Sequence, residues 1–230
     1  MTQQPGASFP LSAPVDFVIV GSGAAGGIMA KELSTRGLSV VVLEQGPRLT
    51  PGQFEHDEFK YWFQGGIANN SPVTFRANEK EKAERGRGGL LYAKLVGGSS
   101  VHFTANFWRF RPIDFTEASK LGSIAGTGLV DWPITYEELE PYYTKVDWEI
   151  GVSGAPGPGD PPRSRPYPMP PLPNKSAGVI FERAAMKLGW HPTPAPMAIT
   201  SQPFNGRPPC QQCGYCMGFG CEYGAKSSSL

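Results

Sequence analysis

A short apolar run from Asp16 to Val20 halts at Gly21. It is too short for a helix and is bounded by glycine, which predicts a buried strand. From about Gly23 to Arg36 small and apolar residues recur at helical spacing (Ala25, Met29, Leu33), and Gly37 stands where a helix would be capped. The valine-rich stretch from Leu38 to Glu44 predicts a second strand. Strand, glycine turn, helix and strand in so short a span make the right-handed crossover unit of a parallel sheet, so the expected fold class is α/β.

Further along, Thr135 and Glu138 have the spacing of a capping box. Pro141 is expected either to interrupt the helix they start or to open the next one, whose apolar stripe would include Tyr142, Val146 and Ile150. Another helix is expected from about Ser176 to Leu188, stopped by Gly189. Both read as scaffold. Between them, nine prolines from Pro156 to Pro173 break every periodicity and predict an extended, polyproline-like connector that divides the chain.

Length and charge narrow the class. A chain of 230 residues allows one or two domains and a real core. The net charge is +1, with no run of five like charges, so nothing draws the chain to nucleic acid or to an anionic membrane, and small molecules or proteins are the expected partners. No apolar run approaches the roughly 18 residues of a membrane span. The opening "MTQQPGASFPLSAP" has no basic region, apolar core or twin arginine and reads as a disordered lead-in without a signal peptide.

The chemistry begins at Gly21, Gly23 and Gly26, a glycine pattern that follows a strand, opens a helix and is answered by Glu44. Gly21 permits the tight turn, Gly23 admits a pyrophosphate close to backbone, and Gly26 lets helix and strand approach. The helix N-terminus offers unpaired amides and the positive end of its dipole, and Glu44 can accept from a ribose hydroxyl. These residues define a Rossmann-like dinucleotide site whose spacing does not choose between NAD and FAD. A second stretch within Gly86 to Phe110 holds Gly97, Gly98, Ser99 and Ser100, which offer open amides and hydroxyls to a phosphate or flavin ring, or form a surface loop. All four cysteines, Cys210, Cys213, Cys216 and Cys221, fall within twelve residues. Thiolates so close suit an iron–sulfur cluster, a structural zinc site or redox disulfides, and the spacing leaves these open.

The phrases "VDFVIVGSGAAGGIMAKEL", "AKLVGGSS", "DWPITYEELEPYY" and "GCEYGAKSSS", in that order, resemble the glucose–methanol–choline (GMC) flavin oxidoreductases. The resemblance implies FAD and oxidation of an alcohol, sugar or sugar-acid hydroxyl by hydride transfer to flavin. It implies that His102 is either a covalent histidyl-FAD attachment or a noncovalent neighbour of the ring, although Phe103 stands where many members carry asparagine or histidine. His56 and His191 receive no role. One branch, which includes gluconate, glucose and fructose dehydrogenases, holds a three-iron (3Fe-4S) cluster with three cysteines in this region. Cys210, Cys216 and Cys221 match those ligands best, with one extra residue before Cys221, and Cys213 would be a bystander or a further ligand. The resemblance also implies electron delivery to a cytochrome c subunit or quinone. A small export or chaperone subunit would place the protein in the periplasm or at the membrane, and without one the cytoplasm remains open. The expected organisation is a lead-in over 1–14, an FAD-binding domain over 15–154, the connector over 155–173, and a helix with the cysteine segment over 174–230 that starts an incomplete substrate domain. The catalytic histidine of the family lies in a later part, so this sequence reads as an N-terminal portion. The alternative is a noncatalytic FAD and iron–sulfur electron-transfer module.

Overall fold

The computed structural model describes residues 12–64, 67, 74–85, 92–122 and 124–229. Most of the lead-in (1–11) and the start of the second glycine stretch (86–91) lie outside the described residues. The chain forms two compact units, one of residues 1–102 with 228–230 and the other of residues 103–227.

In the first unit, β1 (Phe17–Val20), α1 (Ala24–Ser34) and β2 (Val40–Leu43) make the expected crossover, with β1 and β2 parallel and in register from Phe17 opposite Val40 to Val20 opposite Leu43. Asp16 and Ser39 close the entry end: the Ser39 hydroxyl and amide donate to the Asp16 carboxylate, and the Asp16 amide donates back to the Ser39 hydroxyl. α1 ends in a Schellman arrangement, with the Leu38 amide on the Leu33 carbonyl and the Gly37 amide on the Ser34 carbonyl. Gly37 has φ +82°, the left-handed conformation that this ending requires.

The strands differ from expectation in one respect. β1 is not buried: Val18 is 58% exposed and Val20 85%. Its sheet has only two strands among the described residues, so no neighbouring element covers both faces, as parallel sheets ordinarily demand. The unit continues through α2 (Glu58–Gln64) and a short antiparallel pair, β3 (Thr74–Phe75) with β4 (Glu84–Arg85). A small core of Phe54, Leu95 and Val101 underlies the second glycine turn.

The second unit contains α3 (Glu117–Leu121), α4 (Tyr136–Ile150) and α5 (Ser176–Lys187). α5 stops as anticipated, with Gly189 at φ +75°. The capping box of α4 forms in full: the Glu138 amide donates to the Thr135 hydroxyl at 3.2 Å and the Thr135 amide to the Glu138 carboxylate at 2.8 Å.

Pro141 neither ends this helix nor starts another, because α4 runs through it. Nor is the buried face the stripe of Tyr142, Val146 and Ile150, since Tyr142 is exposed and the buried positions are Tyr136, Thr144 and Asp147. Both corrections have one cause. The buried Arg109 guanidinium reaches Glu140 (2.9 Å), Thr144 (3.0 Å) and Asp147 (2.7 Å), so α4 is held across the proline by charge-assisted hydrogen bonds. They offset the roughly 3 kcal/mol that an interior proline costs.

The proline run is strapped to the same helix. The Ser164 amide donates to Glu140, Arg163 pairs with Asp147, and the Trp148 indole donates to the Pro166 carbonyl. Arg165 lies 3.7 Å from the centre of the Trp148 ring. No helix among the described residues is long and apolar enough to cross a membrane.

Candidate functional site

Gly21 has φ +87°, and its amide donates to the Leu43 carbonyl at 2.7 Å, which joins the end of β1 to the end of β2. A Cβ on Gly26 would lie 2.0 Å from the Gly21 carbonyl oxygen, so α1 can press on the turn only because residue 26 has no side chain. A Cβ on Gly21 or Gly23 would meet nothing within 4 Å. Gly23 caps α1 without a side-chain hydrogen bond, and the first turn holds no acidic residue. The first amides of α1 are thus left to an anion by a turn with open space beside it.

Glu44 faces this turn from the end of β2. Its carboxylate accepts the Ser22 amide (2.9 Å), the Ser22 hydroxyl (2.7 Å) and the Gly46 amide (2.9 Å). Partial burial pushes its pKa up, but the bonds from Ser22 and Gly46 outweigh it and hold the group below the ordinary carboxylate range. The side chain is therefore an ionised, acceptor-only group with lone-pair capacity remaining for a ribose hydroxyl.

The second glycine turn belongs to the same place. Gly97 (φ +93°) and Gly98 (φ +53°) lead a 3-10 turn over Gly98–Val101, and a Cβ on Gly98 would lie 3.1 Å from the Gly23 Cα. The Gly97 amide donates to the Ser22 hydroxyl at 3.3 Å. The Ser99 hydroxyl accepts the Ala93 amide, and His102 follows at the end of the turn, 6% exposed. Gly21, Gly23, Gly26, Glu44, Gly97, Gly98 and Ser99 are thus assembled around one turn. Ser22 links the two glycine stretches and Glu44, a role that a variable position inside a glycine pattern does not announce. Gly46 also went unread: a Cβ there would lie 2.0 Å from the Lys94 carbonyl oxygen. The open space at Gly21 and Gly23, the uncapped amides and the ionised Glu44 fit an adenine dinucleotide.

In the second unit the four cysteines are free thiols. Cys210, Cys216 and Cys221 pack, half-buried, against Ala105, Ala198, Ile199 and Ala225, while Cys213 is exposed. Lys226 is 8% exposed, and its ammonium donates to the carbonyls of Phe103 (2.8 Å), Cys216 (3.0 Å) and Phe219 (2.7 Å). Burial lowers its pKa to about 8, against the opposing pull of the nearby thiols. Burial likewise pushes the Cys216 thiol up, and Lys226 works against it. Among the described residues, no three His, Cys, Asp or Glu side chains are arranged to hold a metal ion. As placed, the thiols do not fit a metal centre.

Fold and turn together define a nucleotide-binding α/β protein, and comparison with known proteins agrees. The family model described as "NAD(P)-binding Rossmann-like domain" matches residues 19–82. The chain is 32% identical to the fructose dehydrogenase large subunit of Gluconobacter japonicus, over 91% of this chain and 41% of that protein. It is 35% identical to 2-methyl-1,2-propanediol dehydrogenase of Mycolicibacterium austroafricanum, over 84% of this chain and 34% of that one. It is 30% identical to the gluconate 2-dehydrogenase flavoprotein of Pantoea cypripedii, over 93% and 41%. The chain belongs to the GMC-type flavin oxidoreductases and corresponds to an N-terminal portion of them. It spans 34–41% of the length of these three relatives.

Proposed function

We propose that this chain is the cofactor-binding part of an FAD-dependent dehydrogenase that oxidises an alcohol, sugar or sugar-acid hydroxyl. The observation that carries the reading is the assembly of both glycine turns around Ser22 and the ionised Glu44, beside open space at Gly23. Bound FAD supplies a two-electron acceptor for hydride. The chain's own work is to seat it: amides at the start of α1 oppose the pyrophosphate charge, Glu44 accepts from the adenosine ribose, and the Gly97–Ser99 backbone lies along the cofactor. His102 is the proposed neighbour of the flavin ring, as covalent attachment or as noncovalent contact. The hydroxyl proton is given to no residue of this chain, in keeping with the family pattern of a later catalytic histidine.

The finer reading gives Cys210, Cys216 and Cys221, with or without Cys213, an iron–sulfur cluster and a cytochrome or quinone as acceptor. It is supported by the cysteine spacing and by three of the thiols sharing one small core. The thiols as placed make no cage, so a cluster requires the segment to close around it. An export subunit and a periplasmic or membrane-associated location belong to the same reading, with the cytoplasm as the alternative.

The test is purification from riboflavin- and iron-sufficient cells, followed by absorbance, cofactor release and iron and sulfide analysis. The expected outcome is stoichiometric FAD. A folded chain that takes up no FAD on reconstitution overturns the reading. Flavin fluorescence of the band on a denaturing gel decides His102, and absence of iron removes the cluster while leaving the FAD site standing.

A further inference from the structure

Gly27 follows the three glycines of the fingerprint and has no part in it. The structure gives it a neighbour 202 positions away in sequence: a Cβ on Gly27 would lie 2.8 Å from the Ser229 Cβ and 3.0 Å from its carbonyl oxygen. The single proton of the Ser229 hydroxyl is shared between the carbonyls of Ser22 and Gly97, both at 3.2 Å, and the hydroxyl lies 3.1 Å from that of Ser100. The Ser229 amide donates to the Ser100 hydroxyl at 3.1 Å, and Ser100 in turn donates to Gly97 at 2.7 Å. The Ser22 hydroxyl completes the set through Glu44 and the Gly97 amide.

From this we infer that Ser229 is a positioning residue for the dinucleotide. It is a peg that fixes the second glycine turn against the first and so sets the backbone surface on which the cofactor lies. The inference rests on the reading of this unit as an FAD site. Ser229 bridges the carbonyl groups of Ser22 and Gly97, which holds the two glycine stretches at one spacing. Gly27 is glycine because the peg passes over it. Hydrogen bonds that share atoms in this way reinforce one another, so the loss of one member disturbs the rest.

Two substitutions reach the peg from opposite sides. Ser229→Ala removes its hydroxyl and adds nothing. Gly27→Ala keeps every hydroxyl and improves the helix propensity of α1, yet displaces Ser229. Each variant is expected to bind FAD about tenfold more weakly, the effect of losing one or two net hydrogen bonds, with unchanged far-ultraviolet circular dichroism and an altered visible circular dichroism of the bound flavin. The double variant is expected to lose about tenfold in total, because both changes remove the same element. A Ser229→Ala protein with wild-type affinity and flavin spectrum overturns the inference. So does a double variant whose losses multiply, or weakened binding that merely follows lost secondary structure. A folded wild-type chain that takes up no FAD sinks the cofactor reading itself, and this inference with it.

Discussion

Alanine at Gly23 and alanine at Gly26 should weaken cofactor binding by different routes, although the two positions are only three residues apart. At Gly26 the new Cβ would lie 2.0 Å from a backbone oxygen that cannot rotate away, so α1 must lift from β1. The expected result is a loss of about 1–3 kcal/mol in urea unfolding, with cofactor binding falling as a consequence. At Gly23 the backbone has φ −63°, which alanine adopts freely, and its Cβ meets no protein atom. Stability should hold while FAD affinity drops at least about tenfold, because the methyl group projects where a phosphate would approach. Titration calorimetry beside urea melts separates the two. This part of the site was legible because each glycine acts on backbone within a few residues. Ser22 was not: its partners Glu44 and Gly97 lie 22 and 75 positions away, and no periodicity links them.

α4 shows what a pattern of apolar residues misses. The stripe read from Tyr142, Val146 and Ile150 assumed an apolar partner, whereas the helix packs its polar side on Arg109 and Arg163. Arg109 precedes Asp147 by 38 positions and comes from an irregular segment, so nothing local announces it. The arrangement has a pH signature. Burial raises the Glu140 pKa, but the Ser164 amide, the Thr144 hydroxyl and the Arg109 guanidinium outweigh it and hold the group down to about 2. A carboxylate held below its ordinary value of 4.5 contributes stability at pH above that value and loses it as pH falls toward 2. Glu140→Gln should therefore lower stability at pH 7 and flatten its decline between about pH 4.5 and 2. Urea unfolding across that range, wild type against variant, measures both.

Across the whole chain, the crossover unit, the capping box and the end of α5 could be read from sequence because each is closed by residues near in the chain. The exposure of the sheet could not, since it depends on what other elements do. Val18, Val20 and Leu43 are 58%, 85% and 54% exposed, and a parallel pair backed by α1 on one face, with no third strand beside it among the described residues, offers apolar surface and unpaired edges together. The isolated chain should bind a hydrophobic dye and associate as concentration rises, and Val20→Lys should reduce both, as sedimentation and dye fluorescence would register. Lys226 gives the cysteine segment a different character. One ammonium gathers the carbonyls of Phe103, Cys216 and Phe219, so the loop is fastened by an internal cation that no chelator extracts. The anchor is part of the polypeptide itself, so this segment keeps its shape whatever metals its surroundings hold.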